Sequence, residues 1–167
     1  MAEENQAASQ EDNAPQLRAE KIFIKDVSFE TPNSPSIFTE EWKPSLTFDM
    51  GQQVSKVSDD MFEVVLVITA TTVVGDKTAY LAEVHQAGLF SLQWSDQRQL
   101  DRMLGVICPR MLYPYACSAA SDLVTRGGFP QLILAPLNFD ALYQQRLEEV
   151  KENNDSAEAP ESSTSSS

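Results

Sequence analysis

The chain reads as an α+β protein: a four-stranded antiparallel sheet, expected to be a meander, with helices packed on one face. Three observations predict this. Residues 21–94 are strand-length runs, alternating or rich in β-branched side chains, separated by short turn sequences. Residues 96–152 instead repeat their apolar side chains every three or four positions. Strands followed by helices favour a segregated α+β arrangement over an alternating parallel one.

The elements follow in order. Residues 21–30 alternate, with Phe23, Val27 and Phe29 on one side and Asp26, Ser28 and Glu30 on the other, which predicts a half-buried strand. Pro32 and Pro35 end it, and residues 31–44 form a loop that carries Ile37, Phe38 and Trp42. Apolar side chains of that size are unusual in a loop, which normally runs over the surface. Residues 45–57 form strand two, with Leu46, Phe48 and Met50 on one face and Thr47 and Asp49 on the other. Asp59 and Asp60 turn the chain into strand three, residues 61–74, which is rich in β-branched residues. Gly75 and Asp76 make a two-residue hairpin turn into strand four, residues 77–94.

Helical spacing begins at Asp96, an N-cap with Gln99 placed to reach back, and Leu100, Met103, Leu104 and Ile107 fall on one stripe. Pro109 is expected to break or kink this helix. A second helix within residues 110–126 closes at Gly127. The run from Arg126 to Tyr143, RGGFPQLILAPLNFDALY, is apolar but divided by Pro130 and Pro136, so it is an extended, largely buried connection. It leads into a last helix that starts at the N-cap Asn138, continues to about residue 152, and carries Phe139, Leu142, Tyr143, Leu147 and Val150 on one side.

Composition bounds what the chain does. Residues 1–19 and 148–167 are acidic and poor in large apolar side chains, so they are expected to be disordered tails around one domain, residues 20–147. The first segment has neither an apolar stretch nor an arginine-rich amphipathic pattern, so it is not expected to be a targeting peptide. The longest purely apolar run is Val64 to Ile68, far short of a membrane span. A soluble, cytoplasmic protein is the expectation. The net charge is −13, and the body keeps fifteen acids against ten bases. That balance argues against nucleic acid and suits a basic protein partner. Cys108 and Cys117 are the only cysteines and His85 the only histidine. No metal-type spacing is present, so neither a metal, a cofactor nor an enzymatic centre is expected, and the thiols read as packing residues.

The Arg126–Tyr143 run resembles the carboxy-terminal signature of the SecB family of bacterial export chaperones. DVSFETPNSPSIF at residues 26–38, EWKP at 41–44 and DDMFEVVL at 59–66 sit in the family's order, and the resemblance extends from Lys21 to Leu147. Three positions depart from the family pattern: Cys117 stands where Arg usually follows Pro-Tyr-Ala, Ile133 where Asn is usual, and Gly128 in place of Thr.

Three groups of residues carry the functional expectation. Phe38, Trp42, Leu46, Phe48 and Met50, with Phe139, Leu142 and Tyr143, suit an apolar groove roofed by the long loop. In the SecB family a groove of this origin binds unfolded preproteins. Asp26 and Glu30 share a face of strand one, and Leu81, Glu83 and His85 share a face of strand four. The resemblance implies that Asp26, Glu30, Leu81 and Glu83 dock the basic tail of SecA, the translocation motor. It also implies a homotetramer, a dimer of dimers, whose contacts are expected at Val84, Gln86, Leu100, Met103 and Leu104. The implied function is an ATP-independent holdase that delivers secretory precursors to SecA. The alternatives are a SecB-like chaperone for a dedicated client such as a toxin–antitoxin pair, or a domain binding a small molecule in an apolar cleft.

Overall fold

The computed structural model describes residues 14–157. The expected disorder of residues 1–13 and 158–167 concerns stretches outside the described residues. The chain divides into two compact units, residues 1–135 and 136–167. The first holds four strands: β1 (Gln16–Glu30), β2 (Pro44–Lys56), β3 (Met61–Val74) and β4 (Lys77–Gln93). β1 begins before the expected boundary, because residues 16–19 continue its ladder and pair with residues 90–93 of β4.

All pairings are antiparallel, and the order across the sheet is β1-β4-β3-β2. The meander expected for the whole sheet therefore holds only for β2-β3-β4. β1 sits beside β4, and the 31–43 connection carries the chain from one edge to the other, about 14 Å at a strand spacing of ~4.8 Å. Short turns cannot make that crossing, whereas this loop can. It is organised by a 3₁₀ turn, Ser36–Thr39, and by Ile37 N–H donating to Asn33 O at 2.9 Å. Asn33 Nδ2 donates to Thr78 O at 2.9 Å and Lys77 Nζ to Glu40 Oε1 at 2.7 Å, so the loop is tied to the start of β4. Ile37 is buried and acts as its anchor.

Register assigns the two faces. Even-numbered residues of β3 and β4 (Val64, Leu66, Ile68, Val84, Phe90 and Leu92 among them) are almost fully buried and form the core with the helices. β1 contains a bulge between Ile24 and Asp26, and this overturns one expectation. Val27 and Phe29 oppose Val84 and Ala82 on the core side, but Phe23 opposes Ala87 on the other side. An extra residue at Lys25 flips the alternation.

Helix α1 (Gln97–Arg102) starts as its sequence predicts, with Asp96 Oδ1 accepting from Gln99 N–H at 2.9 Å. Gln99 reaches back one residue further than a capping box does, to Ser95 N–H, at 2.7 Å. Pro109 does not break the run. Met103–Ile107 forms a π-turn, in which Cys108 N–H donates to Met103 O, and helix α2 (Cys108–Arg126) continues directly from it. The widened turn makes room for the proline ring and its missing donor, so the helix adapts instead of stopping.

α2 lays Leu112, Tyr113, Ala116, Ala120 and Val124 on the sheet. Its alanines and Gly88 beneath it permit close approach: a Cβ on Gly88 would sit 2.5 Å from the Phe90 ring and 3.0 Å from Leu112. The helix ends in a Schellman motif. Gly128 N–H donates to Thr125 O at 3.1 Å and Phe129 N–H to Val124 O at 3.2 Å. The left-handed residue is Gly128, with φ of 89°, whereas Gly127 keeps helical φ.

The connection that follows is extended but less buried than expected. Phe129 and Leu132 point inward, while Ile133 is 80% exposed. The second unit holds α3 (Phe139–Ala157), capped by Asn138 Oδ1 accepting from Ala141 N–H at 3.1 Å. It outruns its expected end near residue 152.

Candidate functional site

Two surfaces of the first unit carry the candidate chemistry, one on each side of the sheet. The core-side surface centres on Phe129, which the Schellman turn delivers to the end of α2. Phe38, Tyr80, Trp42 and Phe29 surround it with ring centroids at 5.0, 5.1, 5.8 and 6.4 Å. Phe129 and Tyr80 are buried, but Phe38 remains 50% and Trp42 37% exposed. Two loop aromatics therefore show their outer faces to solvent while their inner faces are held. A side chain on Gly127 would lie 2.3 Å from the Phe29 ring, so only glycine lets Phe29 reach the cluster.

The apolar surface continues across the sheet. Tyr80 opposes Thr72 on β3, and Thr72 opposes Leu46 on the β2 edge. Leu46, Phe48 and Met50 form a row along that edge on the core side, with Leu46 exposed and the other two half-buried. The structure thus brings Phe38 and Trp42 together around Phe129, and sets Leu46, Phe48 and Met50 on the same side of the sheet. Phe139, Leu142 and Tyr143 belong to the second unit, on the first turns of α3.

Sequence reasoning missed Phe29, Tyr80 and Phe129 as members of this surface. Tyr80 and Phe29 lay in strands and read as ordinary core. The glycine pair preceding Phe129 was the available signal, since it marks a close approach as well as a helix end.

The opposite face is polar. Glu30 stands opposite Leu81, Ser28 opposite Glu83 and Asp26 opposite His85. Thr71, Thr69 and Val67 of β3 extend the same rows, and Thr47 and Asp49 of β2 complete them. Asp26, Glu30, Leu81 and Glu83 therefore share the face of the sheet opposite α2. Glu83 is the fixed member: Oε1 contacts His85 Nε2 at 2.7 Å and Oε2 accepts from Thr69 Oγ1 at 3.3 Å. The His85 hydrogen bond, and then the Thr69 one, hold its carboxyl below the ordinary value despite some desolvation. Lys25 at the bulge donates to both carboxylate oxygens of Glu63, at 2.9 and 2.8 Å. The positive charge of Lys25 is in that way engaged by an acid.

The single chain places the residues expected at subunit contacts as follows. Val84, Gln86, Leu100 and Met103 are buried within the single chain, and only Leu104 is half-buried. Gln86 Nε2 donates to Phe23 O at 2.9 Å, inside the fold beside the β1 bulge. These side chains support the fold within one chain.

The remaining polar chemistry is subdued. Burial pushes the Cys108 thiol up to about 12 and raises that of Cys117. Burial likewise raises the Tyr113 hydroxyl, which donates to Ala135 O at 2.6 Å. Among the described residues no three His, Cys, Asp or Glu side chains gather as a metal site would require. No helix there is long and apolar enough to cross a membrane.

Comparison with known proteins gives this arrangement a family. Residues 10–150 match the family profile described as preprotein translocase subunit SecB. A protein-export protein SecB of Marinobacter nauticus is 47% identical over 153 residues, 91% of this chain and 93% of the relative. One from Methylococcus capsulatus is 46% identical over 148 residues, 89% of this chain and 92% of the relative. Among solved structures, a Mycobacterium tuberculosis SecB-like chaperone in complex with a ChAD peptide from the HigA1 antitoxin superimposes with a TM-score of 0.60. It shares 18% identity and covers 74% of this chain and 91% of its own, a likeness of fold. The chain belongs to the SecB family.

Proposed function

We propose that this protein is a cytoplasmic export chaperone that holds secretory precursors unfolded and delivers them to SecA. The observation that carries the reading is the half-open aromatic cluster around Phe129, in a chain whose relatives at 46–47% identity are export proteins. Phe38 and Trp42 present ring faces over a fixed floor, and Leu46, Phe48 and Met50 prolong the apolar surface along β2. Such a surface reads apolar area and chain flexibility, not one sequence. Burying one large apolar side chain yields about 1.5–3 kcal/mol, and micromolar capture needs about 8 kcal/mol. A few client side chains reach that gross value, and further contacts offset the ordering of the client. Neither catalysis nor a cofactor enters this account. Phe139, Leu142 and Tyr143 of α3 are proposed as additional client contacts.

The outer face is proposed as the SecA site. Asp26, Glu30 and Glu83 supply negative charge and Leu81 an apolar contact for a basic tail. Each exposed ion pair contributes only about 0.2–1 kcal/mol, so docking uses several together. Assembly as a tetramer is supported by the two sheet edges left unpaired in one chain, β1 and β2. Exposed Ile24, Val27 and Tyr115 beside the β1 edge supply apolar area for such an assembly, with Val84, Gln86, Leu100, Met103 and Leu104 proposed to support it.

Native mass spectrometry with and without an unfolded secretory precursor tests the reading. Four protomers and one bound precursor are expected. A protein that binds the folded precursor equally well, or none, contradicts it.

A further inference from the structure

Lys25, the extra residue of the β1 bulge, reaches across the polar face of the sheet. β4 lies between β1 and β3, yet the Lys25 ammonium donates to both carboxylate oxygens of Glu63 on β3, at 2.9 and 2.8 Å. Its neighbours Ile24 and Asp26 stand opposite Gln86 and His85 of β4, whereas Glu63 stands opposite Leu89. Ala87 is the β4 residue of that face between the two positions, so the lysine stem passes over it. Ala87 is fully buried although it faces away from the core side, and its methyl is small enough to lie beneath the stem. Ser55 Oγ adds a longer contact to Glu63 Oε2, at 3.5 Å. The Glu63 side chain is only 19% exposed, against 49% for Lys25.

We propose that Lys25 is a specificity-determining residue of this face: it occupies Glu63 and so confines a basic partner to Asp26, Glu30 and Glu83. The inference rests on the reading of the acidic face as the SecA site. Glu63 has the geometry that a partner's lysine or arginine would seek, a carboxylate with both oxygens directed at one cation. Lys25 fills that place from within the chain. A partner cation that displaced it would exchange one ion pair for another on the same carboxylate, with no net gain. Removing the Lys25 ammonium therefore adds one acid to the docking face, whereas removing a lysine that does not cap Glu63 does not.

The test is the dissociation constant for purified SecA, at one low ionic strength, for the full chain and three variants. Lys25→Met keeps the apolar stem over Ala87 and removes only the charge, and Lys25→Gln should behave in the same way. Lys21→Gln is the control, because Lys21 lies on the same strand, opposite Leu89, and its loss changes net charge equally while Glu63 stays capped. Both Lys25 variants should dock roughly two- to fivefold more tightly than Lys21→Gln, the size of one exposed ion pair. Capture of an unfolded precursor should be equal in all four proteins, which also reports an intact fold. Equal tightening by the Lys25 and Lys21 variants, or weaker docking without Lys25, overturns the role of Lys25 alone. Precursor capture by the wild type without SecA docking overturns the docking reading and this inference with it.

Discussion

Phe129 shows how much a single side chain is asked to do here. It terminates a helix, receives contacts from four other rings, and forms the floor on which Phe38 and Trp42 stay half-exposed. Trp42→Ala should therefore weaken capture of several unrelated unfolded clients, each by less than tenfold. Only the outer part of the ring remains to be buried, so the loss stays below the about 1.5–3 kcal/mol of a whole side chain. Fluorescence titration with three unrelated clients checks this. Loss of one client alone would indicate a specific pocket instead. The thiols are the opposite case. Cys108 is fully buried with its thiol pushed up to about 12, so a thiol-specific reagent at pH 7.5 should leave it unmodified until the chain is unfolded. Rapid labelling of the native protein would contradict that packing. At this scale the sequence identified the exposed aromatics because Phe38 and Trp42 stand in a loop where such residues need a reason. It concealed Tyr80 and Phe29, since an aromatic residue in a strand looks the same whether it fills a core or floors a groove.

Among the elements, β3 was legible to the residue. Its β-branched run is bounded by Asp59-Asp60 and Gly75-Asp76, and the ladder begins at Met61 and ends at Val74. What local pattern cannot encode is where a ladder slips or a helix widens. The bulge at Lys25 turns Phe23 onto the polar side, and the π-turn at Met103–Ile107 lets the chain pass Pro109. Both are settled by pairing and packing with distant residues. The α2 terminus gives the sharpest test at this scale. Gly127→Ala puts a methyl 2.3 Å from the Phe29 ring, so it should destabilise by about 1–3 kcal/mol, the range for overpacking. A lowered urea midpoint with weaker client capture is expected, because Phe29 must leave the aromatic set. An unchanged midpoint would mean that the ring moves freely and the cluster is not a rigid floor.

At the scale of the whole molecule, fold class was legible and strand order was not. Alternation and turn chemistry predict four antiparallel strands followed by helices. A proline-bearing loop does not say which neighbour its strands will find, and β1 pairs with β4, not β2. That order leaves β1 and β2 as edges, and light scattering at micromolar concentration should report four protomers. A stable monomer would mean that the edges are managed within one chain. The same sheet separates an aromatic surface on the helix side from an acidic surface on the other, and the account's central claim is that these two surfaces do different work. The direct measurement is titration of the Asp26→Lys/Glu83→Lys double variant against SecA and, separately, against an unfolded precursor. Like-charge repulsion should abolish SecA docking, whereas precursor affinity and tetramer mass should stay at the wild-type values. Precursor binding that collapses while SecA binding survives would contradict the account.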